Sequence, residues 1–156
     1  MIIVADTSPL NYLVQIEAVQ ILPALYGRIL VPPQVLCELN DAQAPAAVRA
    51  WLSAPPAWLE VKRPTRTDPS LHVHEGEAAA IALAFEVKAD RLLIDEQDGR
   101  AAARQLGIPV AGTLAVLKDA ASAGLLDLAA SLKRLQQTNF RASATLYREI
   151  LAAYRK

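Results

Sequence analysis

The chain has 156 residues, 53% of them apolar and only 5% aromatic, with 16 basic and 16 acidic side chains and a formal net charge of zero. That length favours a single domain over residues 1–156 with an aliphatic core, and the charge balance excludes a global attraction to nucleic acid, so any basic surface has to be local. Cys37 is the only cysteine, which excludes an internal disulfide; charges break every apolar run and no leader pattern opens the chain, so a soluble, cytoplasmic protein without a membrane partner is expected.

In chain order, Ile2 to Ala5 reads as a short buried strand that stops at Asp6, with a helix from Pro9 to Gln15 behind it. A strand from Arg28 to Val31 leads into helices at Pro33 to Asn40 and Ala46 to Ser53. Pro9 and Pro33 suit first-turn positions, where a missing N–H costs little, and Cys37 reads as a small core residue on its helix. Ala54-Pro55-Pro56-Ala57 is a turn on which Trp51 and Trp58 pack, and Leu59 to Lys62 is the third strand. Arg63 to His74 is a long polar loop. Its Arg63 and Arg66 read as plain polar residues, and His72 and His74 as a loop pair that lacks the third soft ligand zinc needs.

The helix from Gly76 to Lys88, the strand from Arg91 to Ile94, the helix from Gly99 to Leu106 and the strand from Pro109 to Ala111 follow. Three helices close the chain, at Gly112 to Ala123, Leu126 to Gln137 and Arg141 to Tyr154, with Gly107 and Gly124 at helix ends. Short apolar strands alternating with helices predict an α/β fold with a parallel sheet covered on both faces.

Acids fall on the edges of these elements. Asp6 ends the first strand and Asp95 the fourth; Glu77 opens an apolar helix; Glu38 lies on the helix after the second strand. In a parallel sheet these positions converge on one end, where open α/β sheets bind ligands. Each acid alone has an ordinary reading: Asp6 as a helix cap, Glu77 as a residue favoured by the helix dipole, Glu38 as a solvated helix residue, and Asp95-Glu96-Gln97-Asp98 as an acidic helix start. Together they repel, and burial raises their pKa values, so a cation is needed among them. Oxygen-only ligands select Mg2+ or Mn2+. Such ions activate water and neutralise phosphate charge, which suits phosphodiester hydrolysis. Thr7 and Ser8 stand beside this site, either to hold a carboxylate or as helix caps. Arg100 and Arg104 share a helix face and are candidates for phosphate contacts, although solvated surface arginines are the commoner case.

The segments Asp6-Thr7-Ser8-Pro9-Leu10, Val31-Pro32-Pro33-Gln34-Val35 with Glu38-Leu39, Gly76-Glu77 with the apolar helix behind it, Leu92-Leu93-Ile94-Asp95, and Gly112-Thr113 occur in an order that resembles the PIN-domain family. The likeness is to stand-alone prokaryotic PIN proteins related to VapC-type toxins. It implies a three-layer α/β/α fold with a central parallel sheet and a Mg2+- or Mn2+-dependent ribonuclease. Asp6, Glu38, Glu77 and Asp95 are then the catalytic, metal-holding acids, with Ser8 in support; the departure from relatives after Ile94 leaves Glu96 or Asp98 as a further candidate ligand. It also implies an RNA substrate, a small antitoxin partner and a homodimer, with residues 126–156 offering an oligomer or partner surface. Two departures stand out: Glu77 replaces the aspartate common in relatives, and the segment after Ile94 differs from theirs. A non-catalytic module binding RNA or protein is the alternative. A receiver-type phosphotransfer domain ranks below both, because no lysine follows the last strand before Lys118.

Overall fold

The computed structural model describes residues 1–68 and 73–155, with the Arg155 side chain left aside. Of the residues read from sequence, His72 lies outside that range. Five strands form one sheet: β1 (Ile3–Ala5), β2 (Ile29–Val31), β3 (Leu59–Val61), β4 (Arg91–Leu93) and β5 (Val110–Ala111). Their order is β3-β2-β1-β4-β5 and every pairing is parallel. All five match the expected strands to within one residue at each end.

The helices among the described residues are α1 (Thr7–Gln15), α2 (Ile21–Tyr26), α3 (Pro33–Leu39), α4 (Ala46–Leu52), α5 (Glu75–Glu86), α6 (Gln97–Gln105), α7 (Thr113–Ser122), α8 (Leu128–Gln136) and α9 (Ala144–Arg155). None is long and apolar enough to cross a membrane. Alternation along the strands divides the core. Ile3, Ala5 and Leu93 point into one cluster with residues of α1, α3, α7, α8 and α9. Val4, Leu92 and Ile94 point into the other with residues of α5 and α6. The architecture is therefore three layers, α/β/α, as expected. Leu10, Leu13, Leu92, Leu93 and Leu117 are fully buried, and such side chains each contribute about 1.5–3 kcal/mol.

Several local expectations change. Helix α2 was not predicted: six residues with Pro23 in the first turn and only Ile21 and Leu22 buried carry no readable helical period. Helix α1 begins at Thr7 rather than Pro9, with Asp6 as its N-cap residue. Helix α8 begins at Leu128 rather than Leu126, because the Asp127 side chain accepts the Ala130 amide at 3.1 Å. Cys37 is exposed, not core; Val35 and Leu39 are the buried residues of α3, and a position midway between them faces the other way. Gly107 and Gly124 do follow helices with positive φ, and the rings of Trp51 and Trp58 pack with centroids 6.0 Å apart.

The inner faces of α8 and α9 are built into the core through Leu128, Leu132, Leu135, Tyr147 and Ile150. Strand β1 is central, and the chain winds outward from it to β2 and β3 before crossing to β4 and β5. The reversal lies between β1 and β4, and an open parallel sheet places its ligand crevice at such a switch point.

Candidate active site at the sheet switch point

Asp6 and Asp95 leave neighbouring strands at that reversal. Ala5 is in register with Leu93, and the Asp6 amide donates to the Leu93 carbonyl at 2.9 Å. Asp6 is only 3% exposed. Although it occupies the N-cap position of α1, its side chain makes no capping hydrogen bond. Its Oδ1 is buried without a partner. A buried orphan acceptor is costly, so the capping role does not account for this residue. Burial pushes its carboxyl up to about 7 from 3.8, offset partly by the Thr7 amide and reinforced by the charges of Glu77, Glu38 and Asp95. The charges of the other three predicted acids therefore all act on Asp6 at this end of the sheet.

Glu38 and Asp95 each have hydrogen-bonding partners of their own. Glu38 is half-buried where α3 meets α1 and α5. It accepts a short hydrogen bond from the Thr7 hydroxyl, and its Oε2 lies 2.8 Å from His74 Nδ1. Thr7 thus holds a carboxylate, one of its two expected roles. The Gly76 amide also approaches His74 Nδ1, at 3.4 Å. One ring nitrogen cannot donate and accept at once, and the shorter contact to a carboxylate assigns the proton to Nδ1. His74 was expected to be a bland loop residue; it is the N-cap residue of α5 and a partner of Glu38. Sequence offered no signal for this contact, because 36 positions separate the two residues.

Asp95 receives two hydrogen bonds from Thr113, from the amide to Oδ1 and from the hydroxyl to Oδ2, both 2.7 Å. Thr113 is fully buried. Burial raises the Asp95 pKa, while the Thr113 bonds and the Arg100 charge lower it and Glu96 raises it. Burial also raises the Glu77 pKa, together with the charges of Glu96, Glu38 and Asp98, while His74 lowers it.

Three glycines back these acids, since a Cβ at Gly76 would strike the Glu38 carboxylate, one at Gly99 would lie 2.6 Å from Glu77 Oε2, and one at Gly112 would lie 2.9 Å from Asp95 Oδ1. No other residue type leaves room for the carboxylates where they stand. Ser8 and Arg100 line the cleft that opens beside Asp95. Arg104 is exposed in the last turn of α6 and is not brought there. Arg63 and Arg66 are exposed on the loop after β3.

A family model described as a PIN domain matches residues 2–156. The chain belongs to the PIN-domain family. No curated protein and no solved structure matches it. PIN domains are generally nucleases and generally use divalent metals, so this PIN protein falls in the broad class of hydrolases acting on nucleic acid. The donor types agree with a hard cation: Asp6, with its orphaned buried oxygen, and three further carboxylates whose charges act on it, all of them oxygen ligands. Among the described residues, no three His, Cys, Asp or Glu side chains are arranged to share one ion as they stand. Glu38 is held by Thr7 and His74, and Glu77 lies against Gly99.

Proposed function

We propose that this PIN protein is a Mg2+- or Mn2+-dependent endoribonuclease that hydrolyses RNA phosphodiester bonds at the acidic site. Asp6, Glu38, Glu77 and Asp95 would hold the metal, with Asp98, whose charge acts on Glu77, as a further candidate. The observation that carries this reading is Asp6 Oδ1, a buried acceptor with no partner in the middle of like charges. A proton or a cation would relieve that arrangement.

When bound, the metal supplies a water of lowered pKa and neutralises charge on the phosphate. The chain's own residues prepare the place. Thr113 fixes the Asp95 carboxylate from both of its oxygens. Thr7 and His74 hold the Glu38 carboxylate at the edge of the site. Asp6, with a pKa of about 7, keeps its proton for part of the time at neutral pH and releases it when positive charge arrives. Arg100, beside Asp95 over Gly112, offers a cation for a phosphate oxygen.

RNA cleavage by the wild type and by Asp6→Asn, with Mn2+ and with EDTA, tests the reading. Cleavage that needs both Asp6 and the metal is expected. Equal cleavage by the two proteins sinks it. Absence of Mn2+ binding at millimolar concentration would instead support a non-catalytic RNA- or protein-binding module. A toxin role, with a small antitoxin partner, a homodimeric form and a cytoplasmic site of action, is a further part of the proposal and rests on the resemblance to VapC-type proteins. Growth arrest on expression, relieved by a short open reading frame adjacent to the gene, is its test.

A further inference from the structure

A cleft of about 730 Å3 opens from the acidic site and runs between α1, α7 and the segment joining α8 to α9. Asp95 and Glu96 line it on the acidic side. Tyr12 and Phe140, both half-buried, form one wall as an edge-to-face pair with centroids 5.0 Å apart. Arg100, Lys118 and Arg141 also line it. We propose that this cleft is a subsite for an unpaired nucleotide of single-stranded nucleic acid, its base stacking on Phe140 and its backbone phosphates lying against Lys118 and Arg141. The assignment rests on the nuclease reading for the position of the bond that is cut.

The argument combines size, rings, charge and continuity. The volume lies within the roughly 300–1,000 Å3 typical of ligand sites. With only eight aromatic residues in the chain, the pairing of two of them on a cleft wall beside the acids is uncommon. The Tyr12 hydroxyl donates to Asn139 Oδ1 at 2.9 Å, which ties α1 to the segment that carries Phe140 and Arg141 and keeps the rings in place. Tyr12 also feels both sides of the cleft: burial raises its pKa, Asp95 and Glu96 raise it further, and Arg141 lowers it. The cleft therefore passes from carboxylates to cations across one aromatic wall. A chain whose scissile phosphate sits at the acids would lay its next nucleotide along that wall. Aromatic platforms with flanking cations are how proteins grip unpaired bases, and a duplex, with its bases already stacked, cannot use the ring.

The test is fluorescence anisotropy on the full chain carrying Asp6→Asn, which keeps bound RNA intact, using a labelled twelve-nucleotide RNA, the DNA of the same sequence and the RNA duplex. Adding Phe140→Leu should weaken single-stranded binding roughly 5-fold or more, while Phe140→Tyr retains it and the duplex is unaffected. Adding Arg141→Gln, at an exposed position, should weaken binding and reduce the salt slope by roughly 0.7. Tighter binding of RNA than DNA assigns RNA as the occupant; equal binding assigns either single strand. Unchanged affinity in both Phe140→Leu and Arg141→Gln overturns the subsite even if the wild type cleaves RNA. Loss of affinity in these variants alongside a wild type that cleaves nothing would leave the subsite standing and remove the nuclease reading instead.

Discussion

Thr113 donates to Asp95 twice, through its backbone amide and its hydroxyl, each at 2.7 Å. The two bonds occupy both oxygens of a carboxylate whose pKa burial pushes up, and they hold that carboxylate at the switch point of the sheet. Thr113→Val keeps the shape and the amide bond but loses the hydroxyl. A stability loss of about 1.5–3 kcal/mol is expected, since the bond goes to an ionisable group in a buried setting. Thr113→Ser should recover most of it. Urea unfolding at neutral pH measures both, and a Val variant as stable as the wild type would show that the hydroxyl bond contributes nothing net.

The pKa of Asp6 rises from 3.8 to about 7 on folding. The folded protein thus holds this proton more tightly than the unfolded chain does. Without metal, the stability linked to it is fully present below about pH 4 and is lost as pH rises to about 7, at up to roughly 1.4 kcal/mol per unit. Glu77 and Asp95 shift in the same direction. Denaturant melts of the wild type and Asp6→Asn between pH 4 and 8 isolate the contribution. The stability of the wild type relative to the variant should fall across this window; a constant difference would mean that Asp6 titrates normally.

Divalent metal should reverse that trend. An ion that offsets the repulsion among the acids and binds the folded state alone stabilises it by about 2.7 kcal/mol at one hundred times its dissociation constant. Because it displaces the Asp6 proton, its affinity should rise with pH until about 7. Thermal melts with and without saturating Mn2+ report this. Asp6→Asn should show little of the increase, and a wild type whose melting temperature ignores Mn2+ would remove the metal site from consideration.

His74 sits behind Glu38, with Nδ1 2.8 Å from Oε2. Partners of this kind orient a ligand carboxylate, and losing one commonly costs about 10–100-fold in metal affinity. His74→Ala is expected to weaken Mn2+ binding by that order in calorimetry. Its fold should survive, since the ring is largely exposed, with 65% of the side chain accessible. Wild-type affinity in His74→Ala would reduce the contact to a surface pairing.

The layout of the sheet was legible because strands such as Leu92-Leu93-Ile94 are short, continuous apolar runs between helical stretches, the pattern of a parallel sheet buried on both faces. The acids were legible because Asp6 and Asp95 stop such runs abruptly. Helix α2 was not, since Pro23 and two buried residues leave no period to read. The orientation of Cys37 was misread as core, because the run Val35-Leu36-Cys37 is apolar throughout, and only packing shows that Val35 and Leu39 take the inner face.

By itself the sequence determined the alternation of strands and helices, the five-strand α/β class and the chain positions of four acids on element edges, since these follow from local hydrophobic pattern. The tertiary structure decided which groups touch them. Thr7 and His74 reach Glu38, Thr113 reaches Asp95, and glycines from α5, α6 and the entrance to α7 make room for three carboxylates. These contacts join residues far apart in the chain, and hydrogen bonding and steric clearance act through space, so their partners are set only once β1 and β4 lie side by side.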